Sequence, residues 1–518
     1  SLQELAFKAA STGAALVKAV AKPIVDTSRN VSLTTQNFIF SRVRQVISQI
    51  DEASDLHNFV RSLEKHASDV TNSLHNFSES QANALKENLE NYSNELELKL
   101  RATGTEDLNS WPFSKENRDL LNEVVEYIKA QTVECDPIPV AFMWQALTAW
   151  SVVQKVARES VWSFQKDTEV PAQLRSDEAG YYCKYAVAIY GKSLIDLLKS
   201  SKFLDLFNQS SPKRILMAYT GIPEEDVVFI DSESQPFFPA YAVCIDRARE
   251  SIVLVVRGTL SITDCLTDLK ASYVPYSVVD PLTQEVKATG TVHEGIYKGA
   301  CNVFNTVKPL LLEMQQLYPS YSLIITGHSL GAGTASLIGL LMKSDANFAG
   351  VGFRVYAYGP PCIVSQELHH LTKENILTVS QGSDLVTRAC FGSIKDLVNL
   401  ILFFNKREGE SGKLTASQIV KDTILRKDID PNELIAVYLQ AKRELTNPKH
   451  LPPGFILQIY DKFRNTDADL LPVSDNEYVA GFALPSFYNE IIFSKTVLSD
   501  HMPDVYERAL NSLLRSSP

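Results

Sequence analysis

The chain has 518 residues, a formal net charge of -11 and a pI near 5.4, a balance that argues against nucleic acid as a partner because phosphate backbones demand a basic face. Hydrophobic residues make up 45% and charged residues 21%, an ordinary globular composition, and the length exceeds what one hydrophobic core organises, so two or more regions are expected. Seven cysteines, widely spaced and without a CxxC pair, suit free thiols in a reducing compartment and hence an intracellular protein, against which stand four Asn-x-Ser triplets beginning at Asn30, Asn76, Asn91 and Asn208.

Residues 1–155 read as a helical N-terminal region. Its opening stretch, AFKAASTGAALVKAVAKPIV, is weakly amphipathic with Lys8, Lys18 and Lys22 as its only charges, which suits either an anionic bilayer surface or a core helix. Over residues 43–77 apolar positions such as Val43, Val46, Ile47, Ile50, Phe59 and Leu63 recur at steps of three and four, which predicts one long amphipathic arm or two. Such helices offer a surface for a partner or for self-association. Residues 137–154 carry no charge and hold Trp144 and Trp150, a pattern open to two readings: an interfacial membrane segment, or a helix packed on the main domain. No run reaches 18 purely apolar residues, so no clear spanning helix is expected.

From about Asp177 short strands alternate with helices: VVFIDS, AYAVCID and SIVLVVRGT, then YSLIITG, GFRVYAYG and NILTVSQG. Alternation of this kind predicts a mainly parallel α/β sheet with its active site at the carboxyl ends of the strands. One strand runs into GHSLG, where Gly327 and Gly331 leave room for a sharp strand-to-helix turn with Ser329 at its apex, a nucleophile elbow. A serine hydroxyl needs a base oriented by a carboxylate, and folds with this elbow supply them in the order serine, acid, histidine. Only His450 and His501 follow an acidic candidate downstream of Ser329. His450 lies in the proline-rich NPKHLPPG, whereas His501 follows the strand-like YNEIIFS and KTVLSD, which makes it the expected base. Asp384, ending the strand NILTVSQGSD, is the expected acid, and Asp500 beside His501 is expected to cap a helix or carry surface charge. The oxyanion hole is expected from the backbone N–H of Leu330 and from Thr259, just past an earlier strand, with Asp268 as a residue that either fixes Thr259 or caps a helix. No cluster has metal-ligand spacing, and neither a metal nor a cofactor is expected.

Taken in order, RGT at 257, VHEGIYKGA at 292, GHSLGAG at 327, YGPPCIVS at 358, SDLVTR at 383 and DHMPDVYERAL at 500 resemble the class 3 lipase family, nearest to its diacylglycerol lipase branch. The resemblance implies an α/β-hydrolase with Ser329, Asp384 and His501 as its triad, Thr259 in the oxyanion hole and His293 as a structural histidine. It further implies cleavage of acylglycerol esters, diacylglycerol or triacylglycerol, at a membrane or lipid-droplet surface. A phospholipase A1 or general carboxylesterase would use the same triad, and a non-catalytic lipase-like scaffold is the third possibility. Against the family pattern, the hydrolase domain of 156–518 contains an apparent helical insertion at about 391–463. Within it SIKDLVNLILFFNK is too short to span a bilayer and apolar enough to serve either as a lid or membrane-docking element or as a helix buried against the N-terminal region.

Overall fold

A computed structural model describes residues 138, 140–161, 176–191, 211–259, 272–424, 428–461, 478–494 and 496–515. The opening lysine-bearing stretch, the amphipathic arm of 43–77 and Asp268 lie outside the described residues. In chain order the described helices are α1 (Val140–Val161), α2 (Ser176–Ala188), α3 (Pro212–Thr220), α4 (Glu294–Leu317), α5 (Leu330–Lys343), α6 (Gln366–Thr372), α7 (Phe391–Glu408), α8 (Ala416–Ile424), α9 (Pro431–Lys442) and α10 (Pro503–Arg515). The strands are β1 (Val227–Asp231), β2 (Tyr241–Asp246), β3 (Ser251–Val256), β4 (Tyr273–Val279), β5 (Val286–His293), β6 (Ser322–His328), β7 (Phe353–Tyr358), β8 (Ile376–Gln381), β9 (Phe455–Asp461) and β10 (Tyr478–Ala483). Two compact units emerge, Ser1–Arg158 with Leu397–Glu444 and Glu159–Asp396 with Leu445–Pro518, so the boundary falls inside α7.

The second unit is built on an eight-stranded sheet of order β1-β2-β3-β6-β7-β8-β9-β10. β3, β6, β7, β8 and β9 pair in parallel, β1 to β3 form an antiparallel meander on one side, and β10 pairs antiparallel with β9 on the other. SIVLVV and SLIITG are nearly continuous apolar runs because both of their faces are covered: every residue of β3 and all but the first of β6 are buried. Val253, Val255, Ile324 and Tyr356 belong to one cluster with Tyr182, Tyr185 and Ala186 of α2 and Tyr506, Ala509 and Leu510 of α10. α5 packs on β3, β6 and β7 and is backed by α4, covering the other face. Register decides where the chemistry sits: Val256 pairs with Gly327, Gly327 with Ala357 and Tyr358 with Val379. The loops after β3, β6, β7 and β8 therefore leave the sheet along one edge.

Three features differ from the expectation drawn from sequence. FILQIYD, within the stretch expected to be inserted, is β9 and pairs with β8. β4 and β5 form a separate two-stranded hairpin. YNEIIFS and KTVLSD are not strands; they contribute loop and 3-10 turns whose apolar residues Ile491, Ile492, Phe493 and Val497 are buried nonetheless. Short apolar runs satisfy burial without strand pairing, and periodicity cannot separate the two outcomes.

In the first unit α1 buries Met143, Ala146, Leu147, Trp150 and Val153, and the Trp150 ring stacks on Tyr438 of α9 with centroids 5.4 Å apart. Residues 140–154 form a packed helix, but its observed partner is α9 of the same unit rather than the sheet-bearing domain. The apolar run of α7 buries Leu397, Leu400, Ile401 and Phe404 at helical spacing, and Arg407 donates to Gln440 at 2.7 Å. Among the described residues no helix is long and apolar enough to cross a membrane.

Candidate active site

Ser329 follows β6 directly and precedes α5, with φ 58° and ψ -130°. A side-chain-bearing residue at positive φ costs on the order of 1–3 kcal/mol and persists only where its surroundings over-determine it. Here the surroundings are backbone. The Ser329 N–H donates to the Tyr358 carbonyl at 2.8 Å, and the Ser329 carbonyl accepts from Ala332 and Gly333 of α5 at 2.9 and 3.1 Å. Gly331 lets the helix approach β3 so closely that a Cβ there would lie 2.3 Å from the Val256 carbonyl oxygen and 2.7 Å from the Arg257 carbonyl carbon. No side chain fits that gap.

The structure brings the three expected side chains together. His501 Nε2 lies 2.8 Å from Ser329 Oγ, and His501 Nδ1 lies 2.8 Å from Asp384 Oδ2. Because an ionised carboxylate only accepts, Nδ1 carries the proton of the neutral ring and Nε2 presents its lone pair to the serine hydroxyl. Asp384 is fully buried just beyond β8. Its charge is met by donors: the Val386 N–H bonds Oδ1 at 2.7 Å, and the Tyr506 hydroxyl joins His501 on Oδ2. Burial first, and the Asp384 charge next, push the Tyr506 hydroxyl well above its ordinary range, so it remains a donor.

Thr259 sits half-buried three residues beyond Val256, the last residue of β3, and the neighbouring Gly258 runs against the elbow, where a Cβ would lie 3.1 Å from the Ser329 Cβ. Leu330 is the first residue of α5, so its N–H belongs to the unpaired amides of a helix N-terminus, where the helix dipole favours negative charge. Leu330 directly follows Ser329, and Thr259 directly follows the glycine packed against it.

The remaining histidines separate by environment. His293 Nδ1 accepts from the Ile296 N–H at 3.2 Å and caps α4, a structural role as the resemblance implied. His450 bonds Thr291 Oγ1 at 2.9 Å and stacks 3.6 Å from the Tyr273 ring, away from Ser329, and burial pushes its pKa down to about 3. Asp500 is neither cap nor surface charge. It is 3% exposed and accepts from the Ser383 N–H and the Thr496 hydroxyl, both at 2.8 Å, tying the turn that bears His501 to the loop that bears Asp384. Tyr506 and Asp500 were missed by sequence reasoning since a hydrogen bond across 122 or 117 residues has no local signature. His328 lies inside the recognised motif, yet nothing about GHSLG says where its ring points. The five described cysteines are free thiols.

An α/β sheet carrying a serine on a strained elbow, with imidazole and carboxylate in line behind it, defines the serine-hydrolase class of the α/β-hydrolase fold. Residues 253–393 match the family described as Lipase (class 3). The chain is similar to diacylglycerol lipase-beta of Mus musculus, 26% identical over 336 residues covering 58% of this chain and 48% of that protein. It is also similar to diacylglycerol lipase-alpha of Rattus norvegicus, 25% identical over 312 residues covering 56% of this chain and 29% of that protein. The chain thus spans about half the length of the first and less than a third of the second. Among solved structures a Rhizomucor miehei lipase propeptide complex aligns with 17% identity and a TM-score of 0.37, covering 64% of this chain and 78% of the other.

Proposed function

We propose that the chain is a serine-dependent lipase that hydrolyses carboxylic esters of acylglycerols, diacylglycerol or triacylglycerol, with Ser329, His501 and Asp384 as its triad. The observation that carries this is one imidazole lying 2.8 Å from both a serine hydroxyl and a buried carboxylate. His501 Nε2 takes the Ser329 proton as Oγ attacks the ester carbonyl, and the tetrahedral oxyanion forms beside the Leu330 N–H and Thr259. Asp384 stabilises the imidazolium. His501 then returns the proton to the departing glycerol oxygen, and water repeats both steps on the acyl-enzyme. Residues 156–518 form the hydrolase domain on this reading, with its insertion narrowed from 391–463 to the helices of 397–444, because 455–461 form β9 of the sheet. The N-terminal 1–155 then serves contact with a partner, a second copy, or the membrane or lipid droplet that holds the substrate. The relatives named diacylglycerol lipase support the acylglycerol class.

Labelling with a fluorophosphonate probe, alongside hydrolysis of diacylglycerol, triacylglycerol and phosphatidylcholine, tests the proposal. Wild type should label and release fatty acid fastest from the acylglycerols, and Ser329→Ala should do neither, losing on the order of 10⁴-fold or more in rate. An unreactive wild type would favour the scaffold, and preference for phosphatidylcholine would favour a phospholipase.

A further inference from the structure

The steps above make no use of His328 or Tyr190, yet both touch the machinery. His328 is 3% exposed, and its Nε2 lies 2.8 Å from the backbone carbonyl oxygen of His501. Its Nδ1 lies 2.8 Å from the Tyr190 hydroxyl. A carbonyl oxygen can only accept, so the His328 proton resides on Nε2; Nδ1 is then the acceptor, and the Tyr190 hydroxyl donates to it. This polarity leaves one direction for the whole chain: Tyr190 to His328 to the His501 carbonyl. The His328 ring also lies face-near the His501 ring, with centroids 4.7 Å apart and planes inclined by 34°.

The need for such a brace is visible in the element that carries the base. His501 ends a 3-10 turn of three residues, Ser499–His501, with no strand behind it. Its ring direction therefore depends on what fixes its backbone. Tyr190, just past the end of α2, reaches a second part of the site as well: a Cβ on Gly258 would lie 2.5 Å from the Tyr190 hydroxyl and 2.4 Å from the His328 carbonyl oxygen. Gly258 directly precedes Thr259.

We propose that His328 and Tyr190 are positioning residues: their hydrogen-bonded pair fixes the turn of His501 through its backbone carbonyl and packs the oxyanion loop at Gly258 against the same support. The proposal rests on the reading of Ser329, His501 and Asp384 as a triad. Neutrality of His328 is part of the device, because a second proton on Nδ1 would turn an acceptor against its donor and set a positive charge beside the imidazole that must itself take a proton. Burial, followed by the proximity of His501, holds His328 well below the ordinary histidine range.

The test uses the full chain with a soluble short-chain ester, the fluorophosphonate probe and thermal melting. His328→Phe fills the ring space but cannot donate, and should lower kcat about 10²-fold, as misplacement of a reacting group by an ångström does, with KM within about twofold. His328→Gln, whose amide N–H reaches toward the position of Nε2, should recover kcat to within about tenfold of wild type, whereas His328→Asn, which reaches only toward Nδ1, should not. Tyr190→Phe should cost about tenfold in kcat by releasing the ring from its single tautomer. The acid limb of the pH–rate profile should stay in place in His328→Gln, because the residue removed does not titrate there. Full activity in His328→Phe, or equal losses in the Gln and Asn variants in step with their melting temperatures, would overturn the positioning role. A wild type inert to both ester and probe would instead remove the triad on which the proposal stands.

Discussion

The elbow at Ser329 and the turn at His501 face each other across 2.8 Å, yet they are held by opposite means. The elbow is a local device: a strand, a serine at φ 58° and a helix whose first turn is pressed onto β3 through Gly331. Its restraint is steric, set by backbone atoms that have nowhere to go. The His501 turn has no such neighbours in sequence. Asp500 ties it to Ser383 and Thr496, the Leu385 N–H donates to the Val497 carbonyl at 3.2 Å, and His328 holds its carbonyl. One half of the site is made rigid by exclusion of volume and the other by a hydrogen-bonded network, so the two should fail differently.

Gly331→Ala attacks the steric half and should be the most damaging. A methyl group placed 2.3 Å from the Val256 carbonyl oxygen forces β3 and α5 apart, with an expected loss of more than about 4 kcal/mol in urea denaturation and of probe labelling with it. Wild-type stability in this variant would show that the elbow is not held by exclusion. Asp500→Ala attacks the network. The buried Ser383 N–H and Thr496 hydroxyl lose their acceptor, which should cost about 1–3 kcal/mol, and the loosened turn should lower kcat about tenfold while the chain still folds. Equal stability and kcat in Asp500→Ala would mean the turn is fixed by other contacts.

Acid provides the gentlest separation, since steric restraint carries no proton and buried neutral imidazoles do. Burial pushes His450 down to about 3 and His369 down to about 4, both below the value near 6.5 of an exposed histidine. Between those values the unfolded chain binds protons that the folded chain refuses. Their contribution is therefore present above about pH 6.5 and lost as pH falls toward the folded values, by up to about 1.4 kcal/mol per pH unit for each ring. Denaturation curves from pH 7 to pH 4 should show a shallower decline in His450→Gln than in wild type, and parallel declines would remove His450 from this account.

Much of the catalytic half of the molecule was legible in advance where its causes were local. The run SLIITG before GHSLG, and the helical TASLIGLLMK after it, announce a strand, a turn and a helix because the residues that shape the turn lie within five positions of each other. The strand ends that bear Thr259 and Asp384 were readable for the same reason. YNEIIFS and KTVLSD read as strand-like from sequence, yet their apolar residues are buried in irregular backbone rather than in the sheet, and FILQIYD, within the stretch expected to be inserted, pairs beside β8. Asp500 looked like surface because its partners, Ser383 and Thr496, are visible only once the two loops have met.

The amino-acid order by itself determined which serine stands on the elbow, the glycines that permit that elbow and the order in which Asp384 and His501 follow, because steric exclusion and chain order act over a few residues or along one dimension. The tertiary structure alone decided which buried groups meet around Asp384 and His501: Tyr190, His328 and the pair Asp500 and Tyr506 come from three segments, and their bonds depend on angles and distances that arise only when the sheet closes the gaps between them.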